Sequence, residues 1–323
     1  MESTSKPRLA KLAGTFSALI FMVSGVAISP PVWAATGNAD IDTATIQGLL
    51  DRPVDGVVRL PQGVFVVSPT LKLRRGVKII GSYTVLKVSP GAGSYVAMLT
   101  GVQASTDLSG LSITGVIFDQ NTQQAPASTY AMYHGSPRFA VAVYRGSGIE
   151  ISGNQFLNSD NLNTVVTGTV VDHAVIRNNI FKTTDPALHD HSSVYTNSRD
   201  VQITGNFFYG STVYGAAIET HGDRALIAGN KVYGYYRGAN IVSSTTEFSG
   251  NAVFCGVNLV ALWSLPPDGL HDVTIRDNRL YYPQPGYWQA LLGIRIPDQY
   301  LRPVIEEPSS QLPFVRITVE GNR

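Results

Sequence analysis

Val201-Gln-Ile-Thr-Gly-Asn206-Phe-Phe208 decides the fold, because the chain keeps returning to it. Ile149-Glu-Ile-Ser-Gly-Asn154-Gln-Phe156 and Val175-Ile-Arg-Asn-Asn179-Ile-Phe181 precede it. Leu226-Ile-Ala-Gly-Asn230-Lys-Val232, Phe248-Ser-Gly-Asn251-Ala-Val253 and Val273-Thr-Ile-Arg-Asp-Asn278-Arg-Leu280 follow, and Ile317-Thr-Val-Glu-Gly-Asn322 comes last. Leu111-Ser-Ile-Thr-Gly-Val-Ile-Phe118 is a degenerate earlier copy. Successive Asn residues stand 25, 27, 24, 21 and 27 positions apart, then 44, or two steps of 22. A period of twenty-odd residues marks a solenoid. The unit lacks the Leu frame and helical half of a leucine-rich repeat, and a propeller blade needs about twice its length.

Each copy alternates apolar and polar residues, turns, and resumes as a second short strand. One such strand cannot bury its apolar face alone. Coils stacked at about 4.8 Å pair every backbone with the coils on either side and gather the inward Ile, Val and Phe into one column. Asn tolerates left-handed turn geometry, and its amide can bond the next Asn along the stack. The expected architecture is all-β, a right-handed parallel β-helix, with a structural Asn ladder.

Asp40-Ile-Asp-Thr-Ala-Thr-Ile46-Gln-Gly-Leu-Leu50-Asp-Arg52 reads as a short amphipathic helix with an acidic start, suited to cover the open end of that column. Gly56-Val-Val-Arg-Leu-Pro-Gln-Gly63-Val-Phe-Val-Val and Leu71-Lys-Leu-Arg-Arg-Gly76-Val-Lys-Ile-Ile-Gly81 supply the first coils. The helix followed by these two motifs resembles the start of the pectate-lyase-like superfamily, which includes polygalacturonases, pectate lyases, alginate epimerases and phage tailspikes. The resemblance covers residues 40–323 and implies a β-helix and a polysaccharide ligand. It specifies a reaction only weakly, because a fold does not fix a function.

Residues 1–34 read as a secretory signal: a basic start at Lys6, Arg8 and Lys11, an apolar run from Leu12 to Ile28, and Val32-Trp-Ala34 before the cut. A single β-helix domain over 35–323 is then expected in the periplasm or outside the cell, with no stable membrane anchor. Cleavage removes those three basic residues and Glu2, so the formal net charge moves from +1 to −1. A near-neutral chain lacks the basic face that a nucleic-acid partner requires. Cys255 is the single cysteine, so no intramolecular disulfide can form and packing must hold the fold. The chain stops just after the ladder Asn322 without a capping element, which leaves either a truncated end or one covered by self-association with a second copy.

Chemistry on a β-helix belongs to outward residues of neighbouring coils. Tyr195 and Glu219 each stand 11 residues before a ladder Asn, and Asn197 and His221 each stand nine before. Alternation through Ile218-Glu-Thr-His221 turns Glu219 and His221 outward. His189-Asp190-His191 lies just upstream, and by the same count Arg145 holds the equivalent place two coils earlier. A lyase would use Tyr195 with His191 or His221 as acid and base, and Asn197 with Arg145 to neutralise a uronate carboxylate. A hydrolase would use the pair Asp190 and Glu219. Tyr235, Trp263 and Trp288 are candidate sugar platforms, with the structural alternative of packing beneath loops. Arg295, in Gly293-Ile-Arg-Ile296, resembles part of a polygalacturonase motif but lacks its Lys. The Asn-Thr-Asp, Asp-Asp and Gly-His-Gly motifs of that family are not intact. No Asp cluster of the calcium-dependent lyase kind exists, and the His-x-His spacing has no evident third ligand, so neither metal nor cofactor is expected. Lyase chemistry on an acidic polysaccharide is expected first and hydrolysis second. A non-catalytic polysaccharide-binding or exopolysaccharide-assembly protein, or an adhesin-like surface protein, would use the same fold.

Overall fold

The computed structural model describes residues 34–68, 70–74, 76–90, 92, 97–121, 139–159, 163–183, 192–254, 256, 258–265, 269–281, 305–306 and 312–323. They form a right-handed parallel β-helix with one helix at its start. All paired strands run parallel, in three stacks.

The repeat sets the first stack. Ile113, Ile151, Ile176, Ile203, Ile227, Phe248 and Ile275 pair rung on rung and are all buried. The strands after the ladder Asn carry Phe118, Phe156, Phe181 and Phe208, stacked with ring centroids 5.2, 4.8 and 4.8 Å apart. Val232, Val253 and Leu280 continue that column. The third stack contributes Leu99, Val141, Val165, Val194, Ile218, Ala239 and Val260. The three columns meet in one buried core.

The corner between the first two stacks holds the ladder. Each Asn side chain donates to a carbonyl of the preceding rung and to the Oδ1 of the next Asn. Asn206 Nδ2 lies 2.8 Å from Ile176 O and 3.1 Å from Asn230 Oδ1, while its own Oδ1 accepts from Asn179 N and Nδ2, both at 3.0 Å. The series runs from Asn154 to Asn322. Burial of the amides makes these bonds obligatory, since each lost partner would strand a polar atom away from water. The left-handed conformation belongs to the residue before each Asn: Gly153, Asn178, Gly205, Gly229, Gly250, Asp277 and Gly321 all have φ between 54° and 64°. This corrects the assignment of that geometry to the ladder Asn itself. The positive φ favours glycine at that position, although Asn178 and Asp277 hold the same conformation in their coils.

The helix spans Ala39–Leu50 with Asn38 as its N-cap, and it buries Ile46 and Leu50 against the end of the core. Its polar side chains also close the backbone of the first coil. Asp42 accepts from Val66 N at 3.0 Å and Thr43 Oγ1 from Ser68 N at 2.7 Å. Gln47 accepts from Lys72 N at 2.8 Å and donates to Lys72 O at 2.9 Å. Edge groups that would otherwise invite another strand are thereby occupied. No helix among the described residues is long and apolar enough to cross a membrane.

Candidate functional site

The third stack carries the candidate site. Tyr195 pairs with Val166 on one side and Glu219 on the other, and Glu219 pairs with Asn240. The side chains of this file face away from the core column of Val165, Val194, Ile218 and Ala239. The two members just before Tyr195 are apolar: Ala142 and Val166 join Ala97 and Phe139 in a small buried cluster, against which Tyr144 and Tyr195 pack. From Tyr195 through Glu219 to Asn240 the file is polar, and Ala261 follows.

Glu219 is the centre. One carboxylate oxygen lies 2.7 Å from His221 Nε2, and the other accepts from Ser192 Oγ at 2.9 Å and Asn240 Nδ2 at 3.4 Å. Burial alone would raise its pKa. The bond to His221, that ring's charge, and the Ser192 and Asn240 bonds outweigh burial and hold it below the ordinary glutamate value. The group is therefore a carboxylate that can only accept. As an acceptor it favours the Nε2–H tautomer of His221, in which Nδ1 is the ring's acceptor. The Tyr195 ring lies 5.0 Å from the imidazole, tilted by 37°. The same carboxylate fixes Asn240, which turns its NH₂ toward Glu219. Asn240 Oδ1 is then a buried acceptor with no partner among the described residues.

A second outward file runs beside the first. Asn197 N bonds to Thr167 O, His221 N to Thr196 O, Val242 N to Thr220 O and Trp263 N to Ile241 O. Asn197, His221 and Trp263 therefore follow one another along one file, with Trp263 two rungs beyond His221 and half-buried. Tyr195, Glu219, His221, Asn197 and Trp263 are thus brought onto one face.

Two expected residues are not. Arg145 pairs with Val170, past a register shift that follows Val143, and Ala142 is the residue two rungs before Tyr195. The count fails because Ala142 and Val166 stand 12 and 13 residues before their ladder Asn, where Tyr195, Glu219 and Asn240 stand 11 before theirs. Tyr235 is no platform: it is fully buried, its hydroxyl lies 2.7 Å from Ser193 Oγ, and desolvation pushes its pKa up to about 12. It fills the core edge-on to Phe208. Asp190, His191, Trp288 and Arg295 lie outside the described residues. Ser192 and Asn240 were missed. The same count of 11 back from Asn251 points to Asn240, whereas nothing in the sequence marks Ser192. Among the described residues no group of three potential metal ligands gathers.

No protein-family model matches the chain, and no curated protein sequence matches it. Solved structures do. The tailspike protein of E. coli bacteriophage HK620 in complex with a pentasaccharide is 17% identical over 92% of this chain, with a TM-score of 0.65. A mutant of that tailspike in complex with a hexasaccharide is 17% identical over the same share, with a TM-score of 0.72. The match covers 55% of each tailspike chain, so this chain spans about half their length. At such identity the likeness is one of fold.

Proposed function

We propose that the chain binds an acidic polysaccharide along the Tyr195–Glu219–Asn240 face and cleaves it as a lyase. The observation that carries this reading is the Glu219–His221 pair, an ionised carboxylate that orients an imidazole beside Tyr195. His221 Nδ1 takes the C5 proton of a uronate. The freed electron pair forms the C4–C5 double bond as the bond from C4 to the glycosidic oxygen breaks, and the Tyr195 hydroxyl protonates that oxygen. Asn197, in the file of His221, hydrogen-bonds the uronate carboxylate, and Asn240 Oδ1 accepts from a sugar hydroxyl. The tailspikes bound to oligosaccharides support a saccharide ligand for this fold.

Hydrolysis is the second reading. Glu219 held as a carboxylate suits a base or nucleophile, and Asp190 would supply the acid. Incubation with a panel of uronate polymers separates the two. Unsaturated ends with new ultraviolet absorbance mark a lyase, and reducing ends without it mark a hydrolase. Retention on a polymer without cleavage leaves a binding protein. We further assign the chain to the pectate-lyase-like superfamily and residues 1–34 to a signal that exports it to the periplasm or beyond. N-terminal sequencing of the exported protein tests the second assignment.

A further inference from the structure

The strands that follow the ladder Asn expose a face of one charge sign. Two outward files cross six rungs there, from Gln155 to Arg279 and from Leu157 to Tyr281. Over these rungs they contain Lys182, Lys231 and Arg279 and no carboxylate; the file of Leu157 meets an acid only one rung earlier, at Asp119. All three cations are exposed, and none is in an ion pair among the described residues. Elsewhere on the coil surface arginines meet acids across rungs, as in Glu150–Arg177, Asp200–Arg224 and Glu247–Arg276. Cations without an ion pair among the described residues also occur elsewhere, as at Arg59, Lys78 and Arg145, but on this face three of them recur along two neighbouring files with no acid between them.

Aromatic rings fill the space between them. Tyr209, Tyr233, Phe254 and Tyr281 occupy one file in successive rungs, and Tyr209 and Tyr281 are 50% and 43% exposed. Tyr233, Phe254 and Tyr281 stack face to face, 4.3 and 4.4 Å apart and within 5° of parallel. Stacking along the solenoid axis covers the ring faces and turns the edges outward. Ring edges carry the positive end of the aromatic quadrupole. Exposed cations and electropositive edges thus present a continuous surface that favours anions. The cations recur every second rung, about 10 Å apart at the usual strand spacing. An extended polyuronate can meet that interval with the carboxylates of alternate sugars.

We infer that this face is a second, non-catalytic docking surface for the acidic polysaccharide, separate from the Glu219 face. It keeps the polymer on the solenoid while the site acts. The inference rests on the acidic-polysaccharide reading above for the identity of the polyanion. Charge complementarity selects that occupant over a neutral glucan.

Affinity electrophoresis of the mature protein at low salt tests it, in gels holding polygalacturonate, alginate or neutral dextran. The expected result is retardation by at least one polyuronate and none by dextran. The triple variant Lys182→Gln, Lys231→Gln, Arg279→Gln loses about tenfold in apparent affinity, as three exposed charge contacts allow. Circular dichroism should show that variant folded, since all three side chains are exposed. His221→Ala remains retarded like the wild type although it cannot cleave. Equal retardation of the triple variant and the wild type overturns the docking surface and leaves the enzyme reading standing if cleavage is seen. Retardation by dextran, no retardation by any polyuronate, or preferential competition by a single-stranded polynucleotide overturns the surface as well. Retention that depends on the three cations without cleavage by any variant keeps the surface and removes the lyase.

Discussion

The Asn corner and the Glu219 face are built on the same coils, yet they spend their polar groups in opposite ways. At the corner every rung repeats one residue, and each amide is satisfied by the rungs on either side. On the Glu219 face successive rungs carry Val166, Tyr195, Glu219 and Asn240, and one amide oxygen is left without a partner among the described residues. Stacking rewards repetition, because like side chains meet across every rung. A file in which each rung differs gives up that gain and leaves groups facing outward for another molecule. Buried acceptors left open are rare enough to require such an explanation.

The largest test of the contrast is His221→Ala. Loss of a positioned general base lowers kcat/KM on a cleaved polyuronate by a hundredfold to ten-thousandfold, about 3–5 kcal/mol of transition-state stabilisation. The melting temperature should move by less than half of what a ladder replacement causes. A rate within threefold of wild type would take the chemistry away from this face.

Replacement of Asn206 by Leu is the mirror experiment. It strands Ile176 O and Asn179 N in the core and removes one of the two bonds of the Asn179 amide, for a cost of about 3–5 kcal/mol. A fall of roughly 10 °C in the thermal transition is expected, with cleavage per folded molecule unchanged. A melting curve that stays put would mean that the ladder is only decoration on a core held by the Phe and Ile columns.

The same contrast explains what the sequence made legible. The ladder could be read because a buried amide constrains its residue in every rung, so the period survives in the letters. Tyr195 and Glu219 could be placed because the path from that face to the corner is 11 residues long in their coils. Arg145 was misplaced because the path lengthens in the earlier coils and a bulge after Val143 shifts the register. Tyr235 sits in a tyrosine-rich segment that looks like a loop but is the strand Lys231–Ile241. Its buried hydroxyl is satisfied by partners distant in sequence, among them Ser193, two rungs away and 42 residues off, and Thr183. Such a pairing leaves no local trace. Ser192 at Glu219 was hidden for the same reason.

Acid should sharpen the comparison by a smaller amount. The folded-state pKa of Glu219 is depressed, so its contribution to stability is present above the ordinary glutamate range and is lost as pH falls through the folded value. Below about pH 4 the wild type should lose stability relative to Glu219→Gln, and above that range the order should favour the wild type. Melts of the two proteins between neutral and acid pH give the difference directly. Ladder variants should show no such crossover, since an amide does not titrate. Parallel curves for wild type and Glu219→Gln would mean that the carboxylate is not held by His221, Ser192 and Asn240 in solution.

The smallest effect is expected where polar residues vary from rung to rung yet face open water. Asp200 and Arg224 both adopt left-handed turn conformations in neighbouring coils, and Arg224 grips Asp200 through two bonds of 2.5 and 2.6 Å. That contact holds the Asp200 carboxyl below its usual range. Both side chains are nevertheless well hydrated, so the ion pair exchanges protein contacts for water contacts at little net gain. Arg224→Gln should leave the melting temperature unchanged within error at 0.15 M salt, where the remaining attraction is screened. A clear loss of stability would show that the turn file is a second ladder, with charge pairs doing for the exposed edge what the amides do inside. Variation from rung to rung would then no longer by itself set the Glu219 face apart from the rest of the coil.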